Sequence, residues 1–175
     1  MKLKLAAVLA AAAVAVPAVA ESDKMNDLEI AHTAYTAGGL DIRYAHMALA
    51  ISENAAVREF AEVMIRDHVA VNKAAVALVQ KLNVTPQDNG LSQALVKGAA
   101  EARAKFGRLT GKAFDCAYAQ NELGYHQVVN QTVEGKFIPE ATVPELKALL
   151  GDALVTFKAH EKHAEKMVAS LSCDA

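Results

Sequence analysis

The clearest pattern in the chain runs from Val57 to Leu82. Apolar residues fall at Val57, Phe60, Met64, Val71, Ala75, Leu78 and Leu82. That three-then-four spacing lines one face of a helix. One position on the stripe is polar: His68, preceded by Asp67. Asn54 is a good N-cap for this helix, which would be roughly 42 Å long. A second stripe follows the capping-box sequence Thr142-Val143-Pro144-Glu145. It carries Leu146, Leu149, Ala153, Phe157, His160, Ala164, Met167 and Leu171, close to a heptad seam. Its polar interruption is also a histidine, His160.

Two further helices fit around these. The first spans about Asn26 to Ala50, capped by Asn26 or Asp27. Its expected core face is Leu28, Ala31, Tyr35, Ile42, Ala45 and Leu49. The adjacent Gly38-Gly39 pair costs about 2 kcal/mol relative to alanine, which predicts a kink or a close helix approach there. Ser52-Glu53-Asn54 makes a tight corner. The other helix starts at Thr110 with Phe114, Tyr118, Val129 and Val133 on one face, and is expected to end near Gly135. Between them lie a turn-rich connector, Asn83 to Gly90, and a shorter helix from about Ser92 to Lys105. Nothing alternates with the period of a strand. Two hairpins joined by a long crossover predict an all-α, ferritin-like four-helix bundle with an extra short helix in the crossover.

Composition adds compartment. Lys2 and Lys4, the apolar run Leu5 to Val16, Pro17 and the small-residue site Ala18-Val19-Ala20 read as a signal peptide cleaved after Ala20. Residues 21–175 are then expected to form one periplasmic bundle domain, and no later segment is long and apolar enough to span a bilayer. Losing Lys2 and Lys4 from 18 basic residues leaves 16 against 20 acidic ones. With no basic block, nucleic acid is not an expected partner. A protein partner and homo-oligomerisation stay open. Cys116 and Cys173, in an exported chain, are expected to pair.

Counting along antiparallel helices compares depth. Asp41 lies about 13 residues before Asn54 and His68 about 14 after it. His126 and, one turn earlier, Glu122 sit at similar depth in their helix, and His160 lies about ten residues before the end of its own. Asp41, His68, Glu122, His126 and His160 are therefore the candidate metal ligands. Imidazole with carboxylate suits Fe, Mn, Zn, Cu or Ni. The same residues also fit a buried polar network that only fixes helix register. A di-iron oxidase fits least, because it wants Glu-x-x-His on two helices and only Glu29-x-x-His32 has that form. His160-x-x-His163 with Met167 is a second arrangement that would suit Cu or Ni. No residue set points to catalysis.

GGLDIRYAHMALA, AVREFAEVMIRDHVAVN, GKAFDCAYAQNELGYHQVV and FKAHEKHAEKM together resemble domain-of-unknown-function family 4142, over about Asp27 to Leu171. The resemblance implies an exported ferritin-like bundle with no established activity; metal handling or envelope stress is the functional expectation. It maps the family's polar positions onto Asp41, Asp67, His68, Asp115, Tyr118, His126 and His160. Two departures stand out. Asp41 is shorter than the usual Glu, and Arg43 stands where an acid is common, positioned to pair with a carboxylate. Cys116 and Cys173 lie outside the family pattern.

Overall fold

The computed structural model describes residues 24–173; the expected signal peptide lies outside them. The described residues are all-helical. Helices α1 (Asp27–Ile51) and α2 (Ala55–Leu82) form one antiparallel hairpin. Helix α3 (Gly90–Phe106) crosses along α1. Helix α4 (Gly111–Thr132) continues through a π turn (Val133–Phe137) and a single turn, α5 (Ile138–Glu140), into α6 (Pro144–Ser170). Helix α6 packs on both α4 and α2, which closes the bundle. Among the described residues no helix is long and apolar enough to cross a membrane.

Local chemistry sets most of the boundaries. Asn26 caps α1 by accepting from the amides of Leu28 and Glu29, and Glu29 returns a bond to the Asn26 amide. Asn54 caps α2 and Asn89 caps α3. The α1–α2 corner is held by Arg58, whose guanidinium donates to the carbonyls of Leu49 (2.7 Å) and Ser52 (3.0 Å).

Three expectations are corrected. The capping box at Thr142 does not form: Val143 is the N-cap of α6, without a side-chain bond. The Thr142 amide and hydroxyl instead donate to the Asp27 carboxylate at the start of α1. A tertiary partner wins over a local one. The segment after Thr132, expected as a loop past Gly135, is helical, and its π turn buries both Val133 and Phe137. The inward face of α1 is also rotated from the expected one. Ile30, Thr33, Ala37, Leu40, Asp41, Tyr44 and Ala48 are buried, whereas Tyr35 is 46% exposed.

The glycine pair resolves into two roles within one continuous helix. A β-carbon on Gly38 would lie 2.6 Å from Asn72 Oδ1 of α2, so this glycine permits the close approach; Gly39 meets nothing within 4 Å. Gly39→Ala is therefore expected to gain about 1 kcal/mol of helix propensity, or about 2–4 °C in Tm. Gly38→Ala should gain nothing, because its β-carbon displaces Asn72. Thermal denaturation of the two variants side by side checks this.

Two apolar cores flank a polar layer. The upper one gathers Phe60, Phe106, Phe114 and Tyr118 with Met64 and Met167. The lower one gathers Ile30, Val133, Phe137, Leu146 and Leu150. Cys116 and Cys173 are bridged, tying the end of α6 to α4. Closing a loop with a sequence separation of 57 is worth about 4 kcal/mol on a chain-entropy estimate.

Candidate metal centre

The polar layer lies between those cores. Asp41 comes from α1, His68 from α2, Glu122 and His126 from α4, and His160 from α6. Each sits on the inward stripe of its helix, where a polar residue replaces an apolar one. All five are at most 3% exposed. They form two overlapping triads, His68/His126/His160 and Asp41/Glu122/His126, whose donor atoms lie within 4.8 Å of one another. His126 belongs to both. The three imidazole centroids are 5.3–5.8 Å apart. Donors on a tetrahedral ion with bonds of about 2.1 Å stand about 3.4 Å apart, so donors within 4.8 Å of one another must draw together to share an ion.

The hydrogen bonds fix which atoms face inward. His126 Nδ1 donates to the Glu122 carbonyl oxygen at 2.9 Å, which leaves Nε2 without a proton, 3.5 Å from Asp41 Oδ2. His160 Nε2 donates to Asp67 Oδ2 at 3.0 Å, which leaves Nδ1 free. Asp67 is itself held by Arg66 at 2.7 Å. His68 Nε2 lies 3.4 Å from Asp41 Oδ2, and its ring stacks on Phe157 at 4.7 Å. Both oxygens of Asp41 and of Glu122, both nitrogens of His68, His126 Nε2, His160 Nδ1 and the Tyr118 hydroxyl are buried with no hydrogen-bond partner among the described residues.

Burial dominates the electrostatics. It pushes the Asp41 carboxyl up to about 8. It raises Glu122 well above the carboxylate range, helped by the charge of Asp41. It lowers His126 to about 4. His68 and His160 fall for the same reason, His160 against the opposing pull of its bond to Asp67. Of the three carboxyls here, Asp67 alone moves down, chiefly through its bond to Arg66. Burial thus favours the neutral form of each of these five groups.

The five candidates named from the sequence thus converge. Others do not. Asp115 is buried but accepts from Ser52 Oγ at 2.5 Å, latching α4 to the α1–α2 corner. Tyr118 packs on Phe60 and Phe114 in the upper core. Arg43 is exposed and makes no ion pair among the described residues, so it does not neutralise Asp41. Glu29 is used in the α1 capping box, and His32 faces Asp88 at 3.7 Å. His163 packs against Phe60, outside both triads. Sequence reading missed Asn130, which is buried and donates to Glu161 (2.6 Å) and to the Phe157 carbonyl (3.3 Å). Its signal was its place four residues after His126, on the same face.

The chain matches the model of one family, Domain of unknown function (DUF4142), over residues 10–167. It belongs to the DUF4142 family. A search of curated proteins gives no match. Among solved structures, the DUF4142 chain is similar to one titled "CopM in the Cu(II)-bound form", with a TM-score of 0.66 and 16% identity, covering 85% of this chain and 99% of that one. At that identity the likeness concerns the helical-bundle fold.

Proposed function

We propose that this DUF4142 protein handles metal, holding one divalent transition-metal ion at mid-bundle. His68, His126 and His160 supply nitrogen ligands, and Asp41 and Glu122 supply carboxylates. The observation that carries this reading is the concentration at one point of buried polar atoms with no hydrogen-bond partner among the described residues. Each such group costs about 1–3 kcal/mol when left unsatisfied. A single cation satisfies several at once. It also supplies the positive charge that Asp41 and Glu122 receive from no lysine or arginine ion pair among the described residues, their titratable partners being histidines.

The surrounding bonds support the same reading. Metal-bound histidines usually donate their other nitrogen to a carboxylate or a carbonyl. His160 does so to Asp67 and His126 to the Glu122 carbonyl. A polar lock that only fixed packing would bond its members to one another. Here the carboxyl oxygens of Asp41 and Glu122 have no hydrogen-bond partner among the described residues. Imidazole with carboxylate suits Fe, Mn, Zn, Cu and Ni. The Cu(II) named for the structural neighbour makes copper the first ion to test. The Cys116–Cys173 bridge supports a periplasmic, exported location.

The test is elemental analysis of the purified protein after equilibration with each ion, beside His68→Ala and His160→Ala. One ion per chain is expected for the parent and a large loss in both variants. Substoichiometric metal, with no thermal shift on adding Fe, Mn, Zn, Cu or Ni, overturns the proposal.

A further inference from the structure

Below the polar layer the bundle is not filled. The last buried residue of α2 is His68; its stripe continues through Val71, Ala75 and Leu78, all only half-buried. The space they border is a cavity of about 90 Å³ between the lower halves of α1, α2, α4 and α6. Small side chains create it: Ala34 and Ala37 on α1, Ala75 on α2 and Ala153 on α6. Tyr35, Leu91 and Val128 line it and are also exposed, so it reaches the surface beside them. At its inner end stand Asp41, His68 and His126, with polar atoms that have no hydrogen-bond partner among the described residues.

Those features define an occupant. At about 10–15 Å³ for one water-sized sphere, the space takes roughly six to nine heavy atoms. The walls are otherwise mostly aliphatic, so the body of the ligand is apolar. Its polar end must hydrogen-bond, because Asp41, His68 and His126 present buried polar atoms with no partner among the described residues. An anionic head would find no lysine or arginine among the lining residues to balance it. A cationic head would pay the full desolvation of an ion in an apolar chamber. A neutral hydroxyl meets neither obstacle.

We infer that the chamber is a binding site for a small neutral phenol-type molecule, its ring among the alanines and its hydroxyl hydrogen-bonded to Asp41 or His68. The site goes beyond the metal reading and does not depend on it.

Phenol, toluene and benzoate, titrated by ligand-observed NMR into the full chain kept metal-free with a chelator, test this. Phenol is expected to bind with a millimolar or lower Kd, toluene about tenfold more weakly, and benzoate not at all below 10 mM. Ala75→Phe fills the chamber from a half-exposed position and should abolish phenol binding; Ala34→Leu fills it from the opposite wall and should do the same. No phenol binding, benzoate as tight as phenol, toluene as tight as phenol, or unchanged binding in both filled variants overturns the inference. A separate zinc titration reads the metal proposal, so either can fail alone.

Discussion

His126→Ala is expected to weaken metal binding by more than a hundredfold, the largest loss of any single substitution in the protein. His126 is the one residue common to both triads, so no alternative arrangement of the remaining four restores it. Its Nδ1 bond to the Glu122 carbonyl fixes the ring and aims Nε2 at the centre. Truncation therefore removes a pre-oriented donor rather than a mobile one. Loss of an outer partner alone typically costs 10–100-fold in metal affinity. Asp67→Asn, which weakens the hold on His160, belongs in that lower range, and His126→Ala must exceed it. His46→Ala, on the exposed side of α1, should change nothing. Calorimetric or chelator-competition titrations with zinc order the three variants. Parent-like affinity in His126→Ala would place the ion elsewhere.

The helices and most of the candidate centre were legible in the sequence for a simple reason. In α2 and α6 the apolar stripe is narrow and its polar interruptions are conspicuous, so His68 and His160 mark themselves. Glu122 and His126 are one turn apart and share a face. Asp41 was reached by counting depth, not by its face, because α1 is apolar nearly all round. Periodicity there does not choose a side, and the expected face put Tyr35 in the core, where it is not.

What stayed hidden depends on distances between helices. Thr142 had every local feature of a cap, yet Asp27, at a sequence separation of 115, claims it. The bond between His160 and Asp67 spans 93 positions, and the chamber exists only because small side chains from three helices face one another. No pattern along one helix encodes such spacings. The family resemblance added Asp115 and Tyr118 to the polar set. The structure separates them from it, giving Asp115 to the α1–α2 corner and Tyr118 to aromatic packing.

Metal-free protein is expected to lose stability as pH rises from about 6.5 to 8, and metal loading is expected to reverse that slope. In the unfolded chain the carboxyls ionise near pH 4 and the imidazoles near 6.5. In the fold, burial holds Asp41 up near 8 and raises Glu122, while it lowers His68, His126 and His160. Between about pH 4 and 6.5 the two sets oppose each other. The folded protein keeps carboxyl protons that the unfolded chain has released, and the unfolded chain keeps imidazole protons that the fold lacks. Above about 6.5 the imidazoles are neutral in both states and only the carboxyls still differ. The folded state then binds more protons than the unfolded one, so stability falls with pH. The slope is at most about 1.4 kcal/mol per pH unit for each carboxyl, and the Asp41 share ends near pH 8, its folded value. A bound dication displaces those same protons. Its affinity then climbs with pH by up to about tenfold per unit for each proton released, and the loaded protein gains stability across the window in which the metal-free protein loses it. Urea midpoints at three pH values, with chelator and with one equivalent of zinc, measure both slopes. Asp41→Asn should flatten each of them. Parallel slopes with and without zinc would mean that the ion never meets Asp41 and Glu122, and a metal-free protein that gains stability toward pH 8 would mean that these carboxyls are ionised inside the bundle.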